Sequence, residues 1–372
     1  MSVPLLRLGT RRSALARVQS QWVADRIEKA AADAGTLVRV ELVELLTHGD
    51  TSSAPLASFG GVGVFVSRLR EALLAGEVDV AVHSLKDLPT GPAEGLVLAA
   101  VPTREDPRDV LVARDGLTLA ELPAGARVGT GSPRRAAQLR ALGLGLDIVD
   151  LRGNVDTRLR HVEEGRLDAV VLARAGLARL GRLDEATEVL DPLLMLPAPG
   201  QGALAVECRD PRRTDGSVDE ADAAVAAAVR PLDDPVTRAA VTAERTLLAT
   251  LEAGCAAPLG ALAEVVDDES GVLLSVRAVA ATVDGSVTLR RSLTGPVDRP
   301  VDVGNALAAL LVQDGASELV PRRPPAGVAP DDPDHRVGID PAESQSGPAE
   351  PPSSPTSSTG RPRTTSTREG DQ

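Results

Sequence analysis

The feature that most constrains the fold is an alternation of short apolar runs with amphipathic stretches, which occurs twice. Leu5-Leu6-Arg7-Leu8-Gly9 reads as a strand, Ser13 to Ala34 as a helix closed by Gly35, and Val38 to Leu46 as a second strand. Val64 to Leu74 has helical amphipathic spacing, and Val78 to His83 is a continuous apolar strand of the buried parallel type. The pattern restarts at Arg127-Val128-Gly129, with helices over Pro133 to Leu142 and Val155 to Glu164. Strands over Asp147 to Leu151 and Ala169 to Leu172 alternate with them, the second leading into another helix. Such alternation predicts an α/β architecture with parallel sheets and right-handed crossovers.

Two proline-marked stretches, Val101 to Pro107 and Leu196 to Gly202, bracket the second set, and one more strand, Ala203 to Cys208, follows. This predicts a domain inserted into another: 1-102 with 200-228 forms the first lobe, 103-199 the second, and the two hinge around a cleft. A third unit, 229-320, contains a helix capped by Asp234 with Pro235 at its first position and Gly254 at its end. Strands over Leu259 to Val266, Leu273 to Thr282 and Val287 to Leu293 follow, with Asp284-Gly285 as a hairpin turn, and a helix over Val303 to Val312 completes an α+β unit. From 321 to 372 the chain is rich in Pro, Ser, Thr and Asp. It holds too little apolar surface to offset ordering entropy, so a disordered tail is expected.

Charge and composition exclude several functions. A net charge of -13 over 372 residues disfavours nonspecific nucleic-acid binding, and Trp22, Phe59 and Phe65 as the sole aromatics leave no base-stacking platform. No apolar run approaches the ~20 residues of a membrane span. The opening Met1-Ser2-Val3-Pro4-Leu5-Leu6-Arg7 lacks a signal-type apolar core, so a cytoplasmic location is expected. Cys208 and Cys255 cannot build a disulfide framework or a tetrahedral thiolate site, and no metal is expected. Among 40 basic residues only Lys29 and Lys86 are lysines, so a lysine kept against that bias draws attention to its chemistry.

Three strand-to-helix junctions place arginine at or just past a strand's carboxyl end: Gly9-Thr10-Arg11-Arg12-Ser13, Gly129-Thr130-Gly131-Ser132-Pro133-Arg134-Arg135, and Leu151-Arg152-Gly153-Asn154 with Arg158. Ligands of open α/β sheets bind there, and free N-H groups at a helix start favour anions. Any one arginine reads as a solvated face. Three such junctions on two lobes point to a ligand bearing several carboxylates or phosphates. None matches a P-loop or a dinucleotide fingerprint. In Val80 to Pro89 a buried strand is expected to deliver His83, Ser84, Lys86 and Asp87 to the same rim, where a carboxylate beside a lysine stays ionised and can shuttle a proton. Cys255 follows a helix C-terminus with no cationic neighbour in sequence, a setting for an inert thiol or a tether rather than a low-pKa nucleophile. Cys208 reads as core.

Together these segments resemble the porphobilinogen deaminase (hydroxymethylbilane synthase) family from about Leu5 to Leu319. The matching segments are Thr10-Arg11-Arg12-Ser13, Gly60-Gly61-Val62-Gly63-Val64-Phe65, Val82-His83-Ser84-Leu85-Lys86-Asp87, Arg104-Glu105-Asp106-Pro107-Arg108-Asp109, Leu151-Arg152-Gly153-Asn154-Val155, Pro199-Gly200-Gln201-Gly202-Ala203 and Gly254-Cys255. The resemblance implies two periplasmic-binding-protein-like lobes, the second inserted in the first, plus a small α+β domain. It also implies one dipyrromethane cofactor per chain, built from two porphobilinogens and held by a thioether to Cys255. Four porphobilinogens are then added one at a time, each releasing ammonia, and water frees hydroxymethylbilane. By the same resemblance Asp87 is the catalytic carboxylate, and Lys86, Ser132, Arg134 and Arg135 hold the cofactor. Arg11, Ser13, Arg152, Arg158, Arg179 and Gln201 take the substrate, and Phe65 belongs to a lid over Ser58 to Phe65. A monomer is implied, with product handed to uroporphyrinogen-III synthase.

The residues themselves are compatible with these roles. Pyrroles bearing acetate and propionate need many cations, loss of ammonia leaves an electron-poor azafulvene that Asp87 can stabilise, and a tether forms its thioether once. The chain departs from the family where some members carry lysines, at Ser58 and Val62, and at Gly131 and Pro133 before the arginine pair. Two other classes stay open at this point. A two-lobed anion receptor would share the junctions but not use Cys255, and a cysteine hydrolase would need Cys255 and His83 paired.

Overall fold

The computed structural model describes residues 4–46, 66–252, 257–269 and 271–319. Two five-stranded sheets account for the alternating part. The first is built from β1 (Leu5–Arg11), β2 (Arg39–Leu45), β3 (Val80–Ser84), β4 (Leu96–Ala100) and β10 (Leu204–Arg209), in the order β2-β1-β3-β10-β4. The second is built from β5 (Asp109–Ala113), β6 (Arg127–Gly129), β7 (Asp147–Val149), β8 (Ala169–Ala173) and β9 (Glu188–Val189), in the order β7-β6-β8-β5-β9. The orders correspond strand for strand. β1 runs parallel to β2 and β3, and β6 runs parallel to β7 and β8.

The sheets are nevertheless mixed, which corrects the expectation of parallel sheets. β10 is antiparallel to β3 and β4, and β5 is antiparallel to β8 and β9. The register supplies the reason. β10 begins with Leu204 opposite Ser84, the last residue of β3, and β5 begins with Asp109 opposite Ala173, the last residue of β8. Each is the first strand after a crossing between lobes. The chain arrives at the carboxyl edge with no crossover helix to return it to the amino edge, so it must run backwards.

Helices cover both sheets. In α1 (Ala14–Asp33) the Ser13 hydroxyl accepts from Ala16 N-H, and Val23, Ala24 and Ile27 pack on Leu6, Leu8, Val80, Val82, Leu204 and Val206. The first sheet also carries α2 (Ser67–Leu74), with residues 64–65 of that expected helix outside the described residues. The second sheet carries α3 (Pro133–Ala141), α4 (Val155–Glu163) and α5 (Arg174–Arg179), with Ser132 and Asn154 as caps of the first two. Composition alone missed β4, β5, β9 and α6 (Glu220–Val229).

After α6 the chain forms α7 (Pro235–Thr250), whose cap Asp234 accepts from Thr237 N-H at 2.7 Å. An antiparallel meander of β11 (Leu259–Asp268), β12 (Gly271–Ala281) and β13 (Thr288–Pro296) follows, then α8 (Pro300–Gln313) and the short α9 (Ala316–Leu319). Leu247, Leu259, Leu274, Val276, Leu307 and Leu311 form its core. Helix α7 is capped at Leu251, before the expected stop at Gly254, which lies outside the described residues. Among the described residues no helix is long and apolar enough to cross a membrane.

Candidate anion-binding site

The strand ends of both sheets meet the return crossing around one carboxylate. β3 runs into a 3-10 turn, Leu85–Asp87, which leaves Lys86 half-buried and Asp87 exposed. Lys86 Nζ donates to Gln201 Oε1 at 3.3 Å, and Gln201, 1% exposed, donates from Nε2 to Pro107 O and to Asp109 Oδ1, both at 2.7 Å. Asp109 is fully buried at the start of β5. It accepts from Arg135 Nη2 at 2.8 Å on Oδ1 and from Arg134 Nη2 at 2.9 Å on Oδ2. Arg135 Nη1 also donates to Val171 O at 3.0 Å, and Arg134 to Leu196 O. Both arginines come from the first turn of α3. There the Ser132 cap and Pro133 fix the helix start and aim two consecutive side chains inward.

Electrostatics follow from that packing. Burial alone would raise the Asp109 carboxyl, but the Arg134 and Arg135 guanidiniums outweigh it and hold the group far below the usual carboxylate range. Lys86 is pushed down to about 8, first by burial. Asp87 and Asp109 oppose the fall, and Arg135 and Arg134 deepen it. Arg158 is lowered to about 10, again by burial first and then by Arg135 and Arg152. The cations therefore crowd one another. Arg134 Nε, Arg135 Nε and Arg152 Nε are buried, and among the described residues they have no hydrogen-bond partner.

The remaining expected residues are placed as follows. Arg152 lies 3.6 Å from Asp150, Arg158 Nε donates to Gly153 O at 2.8 Å, and Arg179 Nη2 donates to Gly202 O at 2.6 Å. Gly202 has φ 87°, and a Cβ there would collide with the Glu105 carbonyl, so only glycine lets the two crossings approach this closely. Arg11 ends β1 half-buried. The hydroxyls of Ser13 and Ser132 are engaged as helix caps.

His83 is not on the rim. It is buried, with Nε2 3.1 Å from Glu207 Oε2, and Arg70 also grips Glu207 at 2.8 and 3.0 Å. Strand alternation sends His83 to the face opposite Ser84, which is why adjacency in sequence misled. Cys208 is core, as expected, with burial pushing its thiol up to about 11. Cys255 and Phe65 lie outside the described residues, as do Ser58 and Val62.

Four residues that organise the site have no role assigned from sequence, although two of them stand in the matched Arg104 to Asp109 segment. One is Asp109. The others are Arg104, Glu244 and Arg245. Arg104 forms a bidentate pair with Glu244 at 2.7 and 3.0 Å and donates to Gln201 O at 2.8 Å. Glu244, fully buried, also accepts from Gly200 N-H at 2.6 Å and Ala263 N-H at 2.8 Å. Arg245 donates to Leu88 O at 2.9 Å and Pro89 O at 2.7 Å, gripping the turn that presents Lys86 and Asp87. The available signal was Glu244 on the face of α7 that otherwise buries Ala240, Val241, Ala243, Leu247 and Leu248.

Comparison with known proteins adds an independent line. The family described as "Porphobilinogen deaminase, dipyromethane cofactor binding domain" matches residues 6–215, and "Porphobilinogen deaminase, C-terminal domain" matches 238–313. The porphobilinogen deaminase of Nocardia farcinica is 58% identical over 320 residues, spanning 85% of this chain and 88% of the relative. That of Mycobacterium tuberculosis is 56% identical over 321 residues, spanning 85% and 98%. Among solved structures, the methionine-binding protein MetQ aligns with 60% of this chain and 89% of its own at 17% identity and a TM-score of 0.37.

Proposed function

The chain belongs to the porphobilinogen deaminase family, transferases of tetrapyrrole biosynthesis with a dipyrromethane cofactor, and from that premise we propose the roles of its residues. Cys255 tethers the primer; Lys86, Ser132, Arg134 and Arg135 hold it. Arg11, Ser13, Arg152, Arg158, Arg179 and Gln201 receive the incoming porphobilinogen, Phe65 closes over the site, and Asp87 is the catalytic carboxylate.

The described residues suit a polyacidic primer. Lys86, Arg134, Arg135, Arg152 and Arg158 outnumber the acids beside them, Asp87, Asp109 and Asp150, and among the described residues Arg134 and Arg135 each keep a buried Nε with no hydrogen-bond partner. Carboxylates added here relieve mutual repulsion between cations already desolvated, so they bind strongly for little further dehydration. When bound, the dipyrromethane supplies the nucleophilic pyrrole carbon. Asp87 has the opposite environment to Asp109, exposed at the end of β3 beside Lys86. There it can accept the pyrrole N-H proton and face the electron-poor carbon left as ammonia departs from porphobilinogen. Arg245, through the carbonyls of Leu88 and Pro89, fixes where that carboxylate stands.

The reading keeps the division into 1-102 with 200-228, 103-199 and 229-320, with 321-372 as a tail outside the described residues. Three separate sheets support the first three units. It also takes the enzyme as a cytoplasmic monomer passing hydroxymethylbilane to uroporphyrinogen-III synthase, as the family likeness suggests.

One observation carries the proposal: Lys86, Arg134 and Arg135, from both sheets, converge on the Asp109–Gln201 cluster. Intact-mass measurement on the purified chain tests it. The expected mass exceeds that of the bare polypeptide by two porphobilinogens less two ammonias, and the excess vanishes in Cys255→Ser. A bare wild-type mass after ordinary expression would refute the reading.

A further inference from the structure

Asp109 sits among cations that must receive a polyanion, yet it is itself an anion, which costs the site attraction. Its surroundings explain why it is there. Arg134 and Arg135 are 4% and 5% exposed, and each directs one Nη2 at a different oxygen of this carboxylate. Two guanidiniums buried side by side with no counter-charge would repel each other and pull α3 away from β5. Gln201 closes the same carboxylate from the return crossing and passes the order on to Lys86 through its Oε1. The pair's remaining bonds, to Val171 O and Leu196 O, are to neutral carbonyls. Asp109 is therefore the only carboxylate, among the described residues, paired with either arginine.

The geometry points to Asp109 as a positioning residue, a resident counter-anion that holds Arg134, Arg135 and Gln201 in binding geometry before the primer's carboxylates arrive. This deepens the functional reading above and rests on it. The consequence is a specific thermodynamic coupling. Without Asp109 the cofactor-free chain has two uncompensated buried charges, whereas the loaded chain has the primer's carboxylates to replace it. A carboxylate that served packing alone would matter equally in both states.

The test compares wild type with Asp109→Asn, a near-isosteric change that removes the charge. Each is prepared from cells that make no porphobilinogen, then loaded by incubation with porphobilinogen, with intact mass reporting the load and calorimetry the unfolding midpoint. The substitution is expected to lower the midpoint of the unloaded chain by roughly 10 °C and that of the loaded chain by less than half as much. Equal falls in the two states, or no fall in either, would overturn the assignment. If Asp109→Asn is soluble only when porphobilinogen is supplied during expression, the assignment is supported. If it folds under neither condition, Asp109→Glu decides, since it keeps the charge and shifts it by one methylene. Mass gain about tenfold slower than wild type at near wild-type stability supports the role, and a wild-type loading rate overturns it. A wild-type chain that gains no mass from porphobilinogen would instead refute the underlying functional reading, independently of how the Asp109 variants behave.

Discussion

The two lobes share one plan and use charge in opposite ways. Each has a Gly-Thr pair at the end of its leading strand, a serine cap, and a helix entered with arginines nearby. In the first lobe Arg12 and Arg17 lie out in solvent, 3.9 and 3.5 Å from half-exposed Glu44. In the second, Arg134 and Arg135 are buried on Asp109. The returning antiparallel strands differ likewise. β5 carries its buried acid at the carboxyl edge beside Arg134 and Arg135, whereas β10 carries Glu207 in mid-strand, where Arg70 and His83 enclose it and α2 is anchored. The same scaffold thus buries two neighbouring cations on the acid when it stands at the strand's first residue and ties a helix to the sheet when it stands three residues further on. In this chain the second lobe contributes preorganised desolvated charge, and the first contributes the exposed Asp87.

The contrast can be broken in three ways, in descending order of effect. Asp87→Ala should retain the cofactor mass yet lose turnover by about 10²- to 10⁴-fold, read as ammonia release; near-normal release would remove the first lobe's claim to the chemistry. Arg135→Glu should cost ~3–5 kcal/mol of stability and abolish cofactor loading, whereas the first-lobe change Arg12→Ala should stay within about 0.5 kcal/mol. Similar losses at both positions by chemical denaturation would mean that the lobes do not differ as described.

The third concerns the tie in the first lobe. Burial would raise Glu207, but the His83 and Arg70 contacts prevail and bring it down to about 2 from an ordinary value of 4.5. Because the folded value is the lower one, the stabilisation is complete above pH 4.5 and drains away as pH falls toward 2. It amounts to about 3 kcal/mol at neutral pH. Glu207→Gln should therefore lower stability at neutral pH and flatten the acid limb between those values. An unchanged limb in an acid titration of unfolding would assign the acid sensitivity elsewhere.

Much of this was legible in the sequence, because helical and strand periodicities are local. Ser13, Ser132 and Asp234 with Pro235 announced three helix starts, and the proline-marked crossings announced the insertion. Sheet direction was not legible. Periodicity cannot tell a parallel from an antiparallel buried run, and β5 was hidden in an arginine-aspartate stretch whose second half is buried. At the site, motif spacing found the arginines but not their partners. Asp109 lies 25 and 26 residues from Arg134 and Arg135, and Glu244 lies 140 residues from Arg104, so only tertiary structure pairs them. His83 failed for the simplest reason, that neighbours along a strand face opposite ways.

Glu244 ties three stretches of the chain together. The same carboxylate holds Arg104 on the outgoing crossing and the Gly200 amide on the return, and it belongs to the helix whose far end leads toward Cys255. While those bonds last, the two threads joining the lobes are ganged to one helix of the C-terminal unit. Neither crossing can then shift relative to the other without breaking a bond to Glu244 or carrying α7 along with it.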